Sequence, residues 1–419
     1  MDLVFRQARI ADDTPLMDVA IEGARICAIA PQLHGHGATE IDAAGRVLMP
    51  GLVDSHLHLE KAFVSERHPN RSGTLQEAIH ITAALKPTFT HDDIMLRARR
   101  LLRELSRFGC THVRAHAEFD PAQGFTGFDA VLALRREFAD ILTIQVVAFP
   151  QEGILKTPGT DAMMVEAMKK GADVVGGIPY NDMDAHAHID WVFRLARDFD
   201  KDIDLHQDFS DDAHAMSVEY LARKTIAEGY EGRVSVGHLT ALDALPQERR
   251  NTVIALLRDA GMSVMCLPAT DLHLGGRRDT SRVRRALTPV RALRAGGVNV
   301  CLASNNVRNA FTPFGNGDLL QIAALAIPAC HLGGADDLPS VLPMLTTNPA
   351  QAMRLPNYGL AVGRDADLVL LDTLRVADVM LDLPVRNFVV KRGRVVVKTA
   401  CSVTHLHSVG PCAQPGSFL

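Results

Sequence analysis

No two cysteines in this chain are arranged as C-x-x-C, and the seven present (27, 110, 266, 301, 330, 401 and 412) are odd in number and dispersed. That excludes a disulfide framework or a cysteine-based zinc site and points to a reducing compartment. No apolar run approaches the ~18–20 residues of a membrane span. The N-terminal "MDLVFRQARIADDT" has no basic start followed by an apolar core, so no secretory signal is expected and the cytoplasm is the default. Charge of one sign is also lacking: a net −5 over 419 residues implies no polyelectrolyte partner. The basic stretch "RARRLLRELSR" is broken by Leu101, Leu102 and Leu105 at helical spacing, so it reads as the wet face of a helix and not as a nucleic-acid footprint. Internal repeats and low-complexity segments are absent.

What remains is an ordinary globular composition, 47% hydrophobic and 22% charged, with ample core material. Short β-type runs occupy both ends: "LVFRQARI", "DVAIEG" and "RICAIAP" at the start, "ADLVLLD", "VRNFVVKRG" and "RVVVKT" near the finish. They predict a small β-sandwich built from residues 1–48 plus 356–400, with 401–419 as a loose tail. Between them, strand-like runs at 53–59, 111–119, 142–149, 172–180, 202–209, 233–241, 263–271 and 299–307 alternate with helical segments. "HDDIMLRARRLLRELSRFG" carries acids in its first turn and Gly109 after its last; "TDAMMVEAMKKG" starts at a threonine cap and stops at Gly171. Eight such units over residues 49–355 predict an α/β chain closed into a (β/α)8 barrel. An open doubly wound sheet would carry a Gly-rich phosphate loop after its first strand, and none is present.

In a barrel the chemistry gathers at the C-terminal ends of the strands. The polar residues late in these runs are His56 and His58, His116, Gln151 with Glu152, His206, His238 and Asn305. A His-x-His pair on a strand presents both imidazoles on one face, and neutral imidazole suits zinc or iron. One such histidine fits a satisfied core position well. Four at one mouth leave many polar atoms to satisfy, which favours a ligand. A bound divalent metal lowers the pKa of its water to about 7, and such sites normally pair it with a carboxylate that first accepts the water proton and later donates it to the leaving amine.

At this point the residues resemble the amidohydrolase superfamily. "MPGLVDSHLHLEKAF" is similar to its first-strand motif, and "SGTLQEAI", "HVRAHAEFD", "QVVAFPQEGIL", "GADVVGGIP", "DLHLGGRRDT" and "GVNVCLASNNV" match, in order, the bacterial cytosine deaminase group. "VRNAFTPFGNGDLLQ" looks more like the N-isopropylammelide isopropylaminohydrolase branch. The resemblance implies one divalent ion, zinc or iron, held by His56, His58 and His206, with His238 polarising its water or the substrate and Gln151 bonding the ring's amide edge. Two positions depart from it. Where the family places an aspartate at the end of strand 8, this chain has Asn305, followed by Asn306; where cytosine deaminase has a glutamate three residues after its strand-5 histidine, it has Phe209.

An amide can still offer its carbonyl oxygen to a metal, so Asn305 is kept as a ligand, with the ion weakly held. It cannot accept a proton, and deamination of cytosine by the family route should be impaired. The expectation is a hydrolase acting on a C–N bond of a small pyrimidine- or triazine-like ring, with Glu152, Asp208 or His238 as base. The alternative is a heterocycle-binding, non-catalytic homologue. Expected partners are that small molecule and, at most, further copies of the chain.

Overall fold

The computed structural model describes residues 1–281 and 283–404. The tail expected from residue 401, with Cys412, therefore lies outside the described residues from position 405 on. Strands β1 (Leu3–Ala8), β2 (Met17–Glu22), β3 (Arg25–Ala30) and β4 (Thr39–Asp42) form one sheet in the order β3-β2-β1-β4. A second is built from β5 (Val47–Pro50) and the C-terminal β14 (Leu368–Leu371), β15 (Arg386–Lys391) and β16 (Arg394–Lys398), with β5 antiparallel to β14. Phe5, Val19 and Ile21 of the first sheet share an apolar core with Leu48, Leu368 and Val390 of the second, which makes a sandwich from the two chain ends.

Between the sandwich strands lie eight parallel strands: β6 (Leu52–Leu57), β7 (Cys110–Glu118), β8 (Thr143–Phe149), β9 (Val174–Gly177), β10 (Asp202–Gln207), β11 (Val234–His238), β12 (Ser263–Cys266) and β13 (Asn299–Leu302). All of β6 and β7 is buried, as strands covered on both faces must be. The last two strands are shorter than their apolar runs. Leu267 and Pro268 end β12 because proline cannot continue the ladder, and Pro268 opens the helix Pro268–Leu274 instead. The barrel closes through backbone bonds, Asn305 N–H donating to His56 O (2.8 Å) and His58 N–H to Asn305 O (2.9 Å), with the Asp54 carboxylate of β6 accepting Ser304 N–H (3.2 Å) beside them.

Two helix readings are corrected. Helix Thr160–Lys170 is capped by Gly159 and not by its threonine, although Gly171 does stop it in the left-handed region (φ 107°). In helix His91–Arg107 the first arginine of the basic stretch is not wet. Arg97 is 5% exposed and donates to the carbonyls of Glu60 (2.8 Å) and Ala62 (2.7 Å), which fixes the segment leaving β6. Gly51, between β5 and β6, lies so close to Thr111 that a Cβ there would stand 2.3 Å from its hydroxyl. Only glycine lets the chain pass from sandwich to barrel at that point.

Candidate active site

The strand ends deliver His56 from β6, His58 just beyond it, His206 from β10 and His238 from the end of β11; all four are buried. The Nε2 atoms of His56 and His58 lie 3.2 and 3.1 Å from His206 Nε2. Ligands ~2.0–2.1 Å from a tetrahedral zinc stand roughly 3.3 Å apart, so the His56–His206 and His58–His206 spacings each fit two ligands of one ion. Burial, reinforced by the neighbouring positive groups, holds the pKa of all three well below the usual imidazole value. They are neutral, with lone pairs to give. Their Nδ1 atoms have no partner among the described residues, and neither has the buried Oδ1 of Asn305. Of these atoms the Asn305 Oδ1 is an acceptor that a cation beside the imidazoles would satisfy. His56, His206 and His238 also bring ring nitrogens within 4.8 Å of one another, a spacing that an ion can bridge.

Asn305 reaches this place through the backbone closure onto His56 and His58, in the left-handed region (φ 58°) that asparagine tolerates better than most residues. His238 is also left-handed (φ 72°), a strain that persists where surrounding structure enforces it. Its Nδ1 is 2.7 Å from Asp271 on the helix Pro268–Leu274, which turns Nε2 toward the other imidazoles. Burial pushes the Asp271 pKa up, against the pull of His238. Phe209 stacks on the His238 ring at 4.4 Å between centroids and forms an apolar wall.

The cavity over these groups encloses about 180 Å³. Gln151, Lys61 and Asn306 are among its polar lining residues, and Leu75, Ile79 and Phe311 among its apolar ones. Behind it, Asp204 accepts from Arg114 Nη1 (2.6 Å) and pairs with His116 Nε2 (3.1 Å), whose ring lies 3.9 Å from that of His56. Burial works against ionisation of Asp204, but His116 and Arg114 outweigh it and its pKa is lowered.

Two of the candidate bases are placed elsewhere. The Glu152 carboxylate points away from the cavity to Lys86 Nζ (2.6 Å). Asp208 accepts the backbone N–H groups of Ser217 (3.1 Å) and Val218 (3.0 Å), which makes it an anchor for the start of helix Val218–Ala227. Of the three candidate bases, His238 alone faces the reaction space. Conversely, Lys61 and Asp271 were not singled out by sequence reasoning. Lys61 stands three residues after His58 in "HLHLEKAF", and that adjacency was the signal available; Asp271 meets His238 only through the fold.

The Amidohydrolase family model matches residues 65–397. The N-isopropylammelide isopropyl amidohydrolase of Pseudomonas sp. strain ADP is 32% identical over 406 residues, covering 95% of this chain and 97% of that protein. The structure of 5-methylcytosine deaminase from Klebsiella pneumoniae, liganded with phosphonocytosine, superposes with a TM-score of 0.91 at 32% identity, covering 96% of this chain and 100% of the other. That of N-isopropylammelide isopropylaminohydrolase from Burkholderia multivorans gives 0.84 at 29% identity, over 95% and 99% of the two chains. These relatives are hydrolases and deaminases of small nitrogen heterocycles, and they share both the barrel and its flanking sandwich with this protein. The likeness runs through the whole architecture that carries the four histidines, and the chain belongs to the amidohydrolase family.

Proposed function

We propose that the protein is a metal-dependent hydrolase that cleaves an exocyclic C–N bond of a small nitrogen heterocycle and releases ammonia or an amine. The observation that carries the reading is the convergence of three neutral imidazole nitrogens with the unpartnered Asn305 carbonyl, beside a histidine held by a buried aspartate. His56, His58 and His206 would hold one zinc or iron ion, with Asn305 Oδ1 as a weaker, uncharged fourth ligand. Such an ion supplies Lewis acidity and hydroxide at neutral pH. His238 accepts the water proton at Nε2 and returns it to the leaving nitrogen; Asp271 holds its Nδ1 proton and steadies the imidazolium that forms between the two transfers. Gln151 grips the ring edge from the end of β8, and Phe209 keeps bulk water from the imidazole. The free state of all six described cysteines suits a cytoplasmic enzyme.

The experiment is metal content per chain followed by amine release across aminopyrimidines, aminotriazines and their N-alkyl derivatives. The expected result is close to one ion per chain and turnover of at least one ring, lost on His238→Ala with the metal retained. A second reading, binding without turnover, is favoured by one observation: no aspartate or glutamate lines the cavity among the described residues. It requires that a ring bind with no amine released. For the same reason cytosine should be a poor substrate.

A further inference from the structure

We infer that the ring taken by this pocket meets Lys61 and Gln151 with an edge made only of hydrogen-bond acceptors, and that it is bound as an anion: a deprotonated, oxo-substituted azine. The inference rests on the heterocycle reading above and names the substrate class of that site.

An ammonium group can only donate. Lys61 Nζ lies 3.2 Å from the side-chain amide of Gln151, so the atom facing it is the oxygen, Oε1. The Gln151 NH2 has no partner among the described residues and is left for the ligand.

Asn306 is oriented by a longer chain of the same logic. The backbone N–H groups of Phe311 (3.0 Å) and Thr312 (3.1 Å) donate to Asn309, which fixes Asn309 Oδ1 on that side. Asn309 Nδ2 therefore points at Asn306 and must meet its Oδ1, at 2.5 Å. That leaves the Asn306 NH2 as the free end of its amide. Asn181, the other amide in the lining, is already used at both ends: Oδ1 takes Lys156 Nζ (2.7 Å) and Nδ2 gives to Gln151 O (2.8 Å).

The network thus leaves three donor groups on residues that line the space and spends the acceptor ends of the same amides within the protein. The charges agree. Lys61 is the one side chain in the lining with a permanent charge, and no carboxylate lines the cavity among the described residues. Glu118, which pairs with Lys61, stands behind it and is shared with Lys86 (3.2 Å). A ring that brings an N–H to this edge sets donor against donor; one that brings carbonyl oxygens sharing the negative charge of the deprotonated ring meets it with acceptors. Leu75, Ile79 and Phe311 supply apolar lining, with Phe311 beside Lys61, whose Nζ lies 5.3 Å from the ring centroid.

The test is calorimetric binding to the metal-loaded protein at pH 8 of two pyrimidines of nearly the same shape, barbiturate as the anion and uracil as the neutral ring. Barbiturate should bind at least about tenfold more tightly, the worth of one charge-assisted hydrogen bond. Lys61→Met should bring that ratio toward one while leaving uracil little changed. Gln151→Glu, which sets an anion on the same edge, should lower barbiturate affinity and serves where Lys61→Met does not fold. Equal affinities, a preference for uracil, or a preference that survives both variants would overturn the inference. So would failure of both rings to bind, in which case the heterocycle reading is judged separately, by amine release.

Discussion

Asn305 occupies two places at once: its backbone closes the barrel onto β6, and it lines the cavity with His58, His206 and His238, its Oδ1 unpartnered among the described residues. Asn305→Asp keeps the shape and the tolerance for a left-handed backbone and adds one negative charge beside the ion, where a dication gains far more from an anion than from an amide dipole. Metal retained after dialysis against a weak chelator should rise at least about tenfold, the range within which ligand-sphere changes act. Equal retention in both proteins would mean that Asn305 does not touch the ion. Asp271→Asn is the matching test on the proton carrier. The amide can still meet Nδ1, but it no longer fixes the tautomer or stabilises the charged ring, so kcat should fall about 10²-fold or more with metal content unchanged. The four histidines were legible because alternation along a strand and position at a strand end are local properties. Glu152 and Asp208 were misread, and Lys61 passed over, because the direction of a side chain past a strand end is set by its neighbours. Glu152 turns to Lys86 and Asp208 to the start of a helix, contacts made by chain distant in sequence.

At the scale of elements, the loop after β8 shows how Gln151 is kept in place. The Asp182 carboxylate accepts the N–H groups of Ile154 (2.7 Å), Leu155 (2.9 Å) and Lys156 (2.8 Å) and bonds His188 Nδ1 (2.7 Å). Burial opposes its ionisation, but His188 and these amides outweigh it and its pKa lies well below the ordinary 3.8. A carboxylate depressed in the folded state stabilises the fold above its unfolded pKa, and that contribution fades as pH falls through the folded value. Asp182→Asn should therefore cost about 1–3 kcal/mol at pH 7, the penalty of weakened charged hydrogen bonds plus a stranded amide NH2. The gap to the parent protein in urea unfolding should narrow below pH 4. The same variant should raise KM more than it lowers kcat, because it loosens the loop bearing Gln151. None of this loop work was visible in the sequence, because the amides that Asp182 holds lie 26 to 28 residues before it.

At the scale of the whole molecule, both chain ends shared one β-rich texture and the middle alternated, so sandwich and barrel were legible before their junction was. The junction is a buried polar knot. Asp367, immediately before β14, takes Lys391 Nζ (2.6 Å) and Arg392 N–H (2.7 Å) and lies 3.4 Å from His112 Nε2 of β7, while its carbonyl accepts Gly51 N–H (2.9 Å) at the passage between the domains. Lys391 is 1% exposed and Asp367 5%. Burial lowers the lysine pKa and the aspartate partly restores it. Taking two charges out of water makes the pair itself a weak source of stability, but removing one partner strands the other. Lys391→Met should cost about 3–5 kcal/mol. Adding Asp367→Asn keeps an acceptor for the Arg392 N–H and removes the stranded charge, so the double variant should be more stable than Lys391→Met alone. Urea midpoints of the parent, the two single variants and the double variant measure this directly. Additive losses would show that the two side chains do not act as a pair at the sandwich–barrel junction.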